Sequence, residues 1–145
     1  MELIVKRFEE LTLDELFAIY QLRAKVFVVE QDCAYLDVVD TDKAAIHLWL
    51  QGEDGIQAYA RVLPQGAVFE DASIGRVIAA KRRQGLGTRI VAEAIKIAQE
   101  QFQAKSITIE AQSYAKDLYA KAGFVQTSEE FLLDGLPHME MKLTL

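Results

Sequence analysis

The chain has a single cysteine, Cys33, so it can form no internal disulfide, which suits a reducing compartment. Long apolar runs are also missing: nothing approaches the ~20 residues of a membrane span. Met1 is followed by Glu2, a strand-like run and Lys6-Arg7 rather than an apolar h-region, so no signal peptide is expected and a cytoplasmic location is. Basic residues are outnumbered, 16 Lys and Arg against 22 Asp and Glu, a net charge of -6. That balance argues against general nucleic-acid binding and is compatible with a cationic small substrate. No metal is expected, because no His, Cys or carboxylate cluster has metal-ligand spacing. His47 alternates with Ile46 and Leu48 and reads as structural. There is no internal repeat, linker or low-complexity stretch.

What is present is enough for one domain, 1–145. About half of the 145 residues are apolar (51%), and a chain this long buries roughly 70% of its unfolded surface without needing a staple. Glu2 to Phe8 reads as a strand. Thr12 followed by Glu15 has capping-box spacing, and Leu16, Ile19, Tyr20, Ala24 and Phe27 form the stripe of the helix that starts there. Glu30 to Lys43, carrying Glu30, Asp32, Asp37, Asp40 and Asp42, reads as a surface loop with a short helical turn. Ala45 to Gln51 and Ile56 to Leu63 are strand-like, with Gly52-Glu53-Asp54-Gly55 as a hairpin turn. Ser73 to Ala80 is a further strand. Helical periodicity of Ile90, Val91, Ala94, Ile95 and Ala98 predicts a helix from Gly87 to Phe102. A strand over Ser106 to Ala111 precedes a short helix over Ser113 to Ala122, closed by Gly123. Phe124 to Thr127 and His138 to Leu145 are strands. The order β-α-β-β-β-α-β-α-β-β indicates an α/β or α+β fold.

The informative stretch is Lys81 to Thr88, a basic, glycine-bearing loop between a strand and a helix. Free backbone N–H groups and the dipole at a helix N-terminus make an anion site. Gly85 and Gly87 let a phosphate approach the backbone, and Arg82 and Arg83 add charge. A P-loop is excluded because no Gly-Lys-Ser/Thr occurs. A dinucleotide fingerprint is excluded because Ile90 stands where its third glycine belongs. The pattern R/Q-x-x-G-x-G/A remains, matched by Arg82, Gly85 and Gly87.

In this pattern the chain resembles the GNAT acetyltransferase superfamily. Gln112-Ser113-Tyr114-Ala115-Lys116-Asp117-Leu118-Tyr119-Ala120-Lys121-Ala122-Gly123-Phe124 looks like the family's later motif, N-x-x-A-x-x-x-Y-x-x-x-G-F, with Gln112 in place of Asn. Leu22 to Tyr35 and Gly135-Leu136-Pro137-His138-Met139 resemble the ElaA-type subgroup. The resemblance spans almost the whole chain. It implies a mixed, mostly antiparallel central sheet with two splayed strands and flanking helices.

It also implies acetyl transfer from acetyl-CoA to an acceptor amine, on a small molecule or a peptide, by direct attack in a ternary complex. The implied cofactor contacts are Arg76, Val77 and Ile78 through their backbone, then Arg82, Arg83, Gln84, Gly85, Leu86, Gly87 and Thr88, with Gln112 and Tyr119. Tyr119 occupies the position of the family's tyrosine, and a phenol of pKa ~10 can protonate a thiolate whose conjugate acid titrates near ~8.5. A packing role is the alternative for that tyrosine. Tyr114 lies outside the motif position. For the base that takes the amine's proton the candidates are Glu30, Asp37, Glu110 and His138, with Glu110, at a strand end near the splay, taken first. The acidic run from Asp37 to Asp42 reads as solvated, with attraction of a cationic substrate as the other role. Cys33 has no organised base and reads as a buried thiol. A CoA-binding sensor or partner module without catalysis is the competing function class. The family's habits leave a homodimer open.

Overall fold

The computed structural model of the chain describes residues 1–80 and 85–145. Arg82, Arg83 and Gln84 of the expected cofactor loop, and Lys81 before them, lie outside the described residues. β1 (Glu2–Arg7) leads through a 3-10 turn into α1 (Leu13–Arg23). The capping box forms: Thr12 Oγ1 accepts the Glu15 N–H at 3.1 Å, and Glu15 Oε1 accepts the Thr12 N–H at 2.9 Å. α1 continues directly into a π-helical segment, Ala24–Glu30. The wider π turn rotates the buried face. Ile19, Arg23 and Phe27, four residues apart, are buried, whereas Ala24, expected in the apolar stripe, is exposed.

β2 (Ile46–Gly52), β3 (Gly55–Leu63) and β4 (Ser73–Ala79) follow as an antiparallel meander, giving the strand order β1-β2-β3-β4. The expected hairpin between β2 and β3 is present, with Gly55 at φ 110°. α2 (Leu86–Phe102) covers one face, burying Ile90, Val91, Ala94 and Ala98 against Leu48, Ala60 and Val62. On the other face Trp49, Tyr59 and Ile78 pack with Ile19 and Phe27. With both faces covered, Ile46 to Leu50 can be an unbroken buried run.

A second sheet holds β5 (Ser106–Gln112), β8 (Leu136–Thr144) and β6 (Val125–Gln126), with β7 (Phe131–Leu133) on β8 and α3 (Lys116–Lys121) between β5 and β6. The architecture is thus one of antiparallel sheets flanked, among the described residues, by α1, α2 and α3. The strand β7 was not expected. Its signal is the Asp134-Gly135 pair, at φ 52° and 77°, as a type I′ hairpin turn requires. The helix expected from Ser113 begins instead as a 3-10 turn, Ser113–Ala115.

The expected surface loop over Glu30 to Lys43 is corrected in one respect. Asp37 is 6% exposed and Asp42 1% exposed. They turn inward because two buried arginines, Arg23 from α1 and Arg61 from β3, need carboxylate partners. Asp40 and Asp32 do remain exposed.

The sheets meet at one point. Ala72, just before β4, bridges to Ile107 in parallel, and the Thr108 N–H donates to the Ala72 carbonyl at 3.0 Å. The Asp71 carboxylate reinforces the junction, accepting the Ser106 and Thr108 hydroxyls at 2.6 and 2.8 Å. Beyond it, no further bridge between β4 and β5 forms among the described residues. The two parallel strands part, and a cleft opens between them.

Candidate active site

That cleft, of about 910 Å³, is lined by β4 from Ser73 to Ala79 and by Glu110, Ala111 and Gln112 of β5. A bulge shapes its β4 wall. Tyr59 pairs with Ile78 and Arg61 with Gly75, so Arg76 and Val77 together stand opposite Ala60. Arg76 takes φ 52°, unusual for a residue with a side chain. Its guanidinium holds it there. Nε donates to Asp37 Oδ1 at 2.8 Å, Nη2 to the Asp37 carbonyl at 3.0 Å, and the group lies 5.4 Å from the centre of the Tyr35 ring. The bulged Arg76–Val77 backbone is thus released from regular pairing with β3 beside the cleft.

At the far end of that wall stands the N-terminus of α2. Gly85, at φ 69°, is its N-cap, and a Cβ there would touch nothing among the described residues. A left-handed cap of this kind favours glycine. Gly87 packs closely: a Cβ on it would lie 3.5 Å from Leu118 and 3.7 Å from Ala79, an ordinary contact. Gly85, Gly87 and Thr88 line the cleft, while the Leu86 side chain belongs to the core. The first-turn N–H groups of α2 point out of the helix beside these residues.

Tyr119 of α3 also lines the cleft, 8% exposed, with Phe124 edge-on to its ring at 5.8 Å. Gly123, at φ 106°, ends α3, and the Phe124 N–H donates to the Tyr119 carbonyl at 3.1 Å. The motif's tyrosine, glycine and phenylalanine therefore form one packed helix stop. Burial raises the Tyr119 pKa, so the phenol keeps its proton at neutral pH. Tyr114, 66% exposed, lies at the same cleft's edge. Gln112, where the motif has Asn, exchanges amide hydrogen bonds with Gln31 at 3.1 and 3.4 Å, tying the end of β5 to the π segment.

The four base candidates differ in their surroundings. Glu30 and Glu110 are exposed and line the cleft. His138 lines it too; its Nδ1–H donates to the Leu136 carbonyl at 2.8 Å and its ring stacks on Phe131. With Nδ1 so engaged, Nε2 carries the lone pair of the neutral ring. Asp37 is unsuited to the role, because its carboxylate is shared by Arg23, Arg76 and the Tyr35 hydroxyl, at 3.0, 2.8 and 2.6 Å.

Sequence reading missed the cluster to which Asp37 belongs. Asp42 binds Arg23 through Nη1 and Nη2 at 2.8 and 3.1 Å and Arg61 Nη1 at 2.7 Å. Burial opposes the charge on Asp42, but the guanidinium groups outweigh it and hold its carboxyl below the usual range. His47 sits behind this cluster. Nε2–H donates to the Asp42 carbonyl at 2.9 Å and Nδ1 accepts the Tyr59 hydroxyl at 2.7 Å, and burial lowers its pKa, leaving it neutral. Cys33 is buried with its thiol 3.4 Å from the Asp134 carbonyl. Among the described residues no group of His, Cys, Asp and Glu has the make-up of a metal site.

Residues 26–145 match the family described as an acetyltransferase (GNAT) domain. The chain belongs to the GNAT acetyltransferase family. It is 38% identical to a UPF0039 protein of Schizosaccharomyces pombe, over 100% of this chain and 98% of that one. It is 32% identical to the protein ElaA of Escherichia coli, over 91% of this chain and 89% of ElaA, and the ElaA crystal structure superposes with a TM-score of 0.90. An acyl-CoA N-acyltransferase from Pseudomonas aeruginosa gives 0.91 at 32% identity, covering 99% of this chain and 100% of the other. The chain is thus an ElaA-like GNAT protein.

Proposed function

We propose that residues 1–145 act as one unit that transfers an acetyl group from acetyl-CoA to an acceptor amine. The observation that carries this reading is the joining of the two motifs on one cleft: the glycine cap of α2 and Tyr119 line it from different elements. The residues present fit acetyl-CoA. Its pyrophosphate suits the N–H groups of Gly85 to Thr88, with Arg82, Arg83 and Gln84 completing the loop. Its pantetheine amides suit the bulged backbone of Arg76 and Val77 and the adjoining Ile78, and Gln112 borders the same cleft. The cosubstrate supplies a thioester, an activated acyl group that an amine can displace. The amine attacks as a neutral base, Glu110 takes the proton it sheds, directly or through water, and the Tyr119 hydroxyl protonates the departing thiolate. Burial keeps the Tyr119 hydroxyl protonated at neutral pH, so its proton is in place when the thiolate departs.

The test is thiol release from acetyl-CoA over a panel of amines. Tyr119→Phe should lower kcat by about 10²-fold or more, with acetyl-CoA affinity retained. Unchanged kcat in that variant would remove Tyr119 from the proton transfer. CoA binding without turnover of any amine would make the chain a CoA-binding module.

A further inference from the structure

The buried cluster next to the cleft is not charge-balanced. Three guanidinium groups, Arg23, Arg61 and Arg76, meet two carboxylates, Asp37 and Asp42, which leaves one positive charge in excess. His47 is neutral, so it does not alter the sum, and no third carboxylate joins these pairs among the described residues. A buried charge without a partner is costly.

The unmet hydrogen-bonding capacity of the cluster lies at Arg61. Nη1 donates to Asp42 Oδ1 and, at 3.3 Å, to Thr41 Oγ1. Nε is buried and has no hydrogen-bond partner among the described residues. Burial and the nearby Arg76 guanidinium already weaken the hold of Arg61 on its proton. The residue paired with Arg61 across β3 and β4 is Gly75, and the position of a Cβ there lies 3.9 Å from Nε. Gly75 itself contributes no side chain beside that group. Arg61, Gly75 and Ser73 all line the cleft, and so does Glu110 from the β5 side, exposed between the buried Ile109 and Ala111.

Resting on the acetyl-transfer reading above, we propose that the acceptor is a free amino acid, whose carboxylate accepts the Arg61 Nε–H over Gly75 while its amine lies toward Glu110. Asp37 and Asp42 are already neutralised by arginines, so they do not draw in a simple cationic amine. A carboxylate restores the missing charge and satisfies the orphaned donor in one contact. The same arrangement disfavours the corresponding amine, which leaves Nε–H unpaired.

Matched acceptors that differ only in the carboxylate test this: L-phenylalanine with phenethylamine, L-lysine with cadaverine, L-methionine with 3-(methylthio)propylamine. The carboxylate member of at least one pair should be preferred in kcat/KM by roughly 10- to 100-fold, the range of a charge-assisted hydrogen bond. Arg61→Lys removes Nε–H, but its partnership with Asp42 puts folding at risk. Gly75→Ala is the second variant. Gly75 does not lie in the left-handed region and its Cβ position is uncrowded, so the protein should fold and bind acetyl-CoA as before. The methyl group intrudes over Nε and should cut the carboxylate preference to below about threefold. Equal use of both members of every pair, or a preference that survives Gly75→Ala, overturns the proposal. If no compound is acetylated, the acetyl-transfer reading fails by itself. Calorimetric titration of the same pairs into CoA-saturated protein then decides: binding of amino acids but not their amines upholds the anion site, and any other result rejects it.

Discussion

Asp42 shows how much of this protein depends on single buried charges. Its carboxylate is 1% exposed and bound by Arg23 and Arg61. Asp42→Asn leaves Arg61 without a carboxylate and takes from Arg23 one of its two, a loss of about 3–5 kcal/mol, to be read as a lower denaturant midpoint at unchanged slope. Its pH dependence follows from the depressed carboxyl. The stabilisation is present above the unfolded pKa of ~3.9 and is lost only as pH falls through the lower folded value. His47 acts in a different window. Burial keeps it neutral in the folded chain, whereas the unfolded chain takes up a proton near pH ~6.5, so stability falls as pH drops below that value. The slope cannot exceed ~1.4 kcal/mol per pH unit, the limit for one proton. His47→Gln should flatten it; a slope that persists in the variant would place its origin elsewhere. The sequence carried half of the cluster's signal. Arg23 stands four residues after Ile19 and four before Phe27, within the apolar stripe, and Arg61 interrupts the buried run from Ala58 to Leu63. A cation at a core position needs an anion beside it. Which acids of the 30–43 segment turn inward is set by tertiary contact, since Asp40 is exposed two residues from Asp42.

At the scale of elements, the cleft is built from three local devices: the left-handed cap of α2, the bulge in β4 and the glycine stop of α3. Gly85 offers the sharpest test of the first. At φ 69°, glutamate is strained and places a negative charge where phosphates would lie, whereas asparagine tolerates the same backbone. Gly85→Glu should weaken acetyl-CoA binding at least tenfold more than Gly85→Asn, by calorimetry. Equal affinities would separate the α2 cap from the pyrophosphate. α2 and the Tyr119–Phe124 stop were legible because periodicity and a C-terminal glycine are local properties. The bulge was not, because pairing register depends on β3, and neither was the π turn that follows Arg23. The Asp134-Gly135 pair is a local hairpin signal, but its flanking strand of three residues is too short to show a period in the sequence.

For the molecule as a whole, the question is whether a chain with two separately laddered sheets unfolds as one. The core answers it. One apolar cluster runs from Leu48 and Val62 of the first sheet through Ile90 and Val91 of α2 to Ile109 and Met141 of the second. The opening at the cleft is therefore bridged underneath by α2, and Asp71 pins the sheets where they meet, with Lys142 3.3 Å from its carboxylate. Asp71→Ala removes two hydroxyl bonds to a charged, partly exposed group. It should cost about 2 kcal/mol, or about 6 °C in Tm for a chain of this size. Because the shared core is untouched, that loss should lower a single transition without splitting it, with calorimetric and van't Hoff enthalpies still equal. Two resolved transitions in the variant would mean that the junction at Asp71, and not the core under α2, couples the two walls of the cleft.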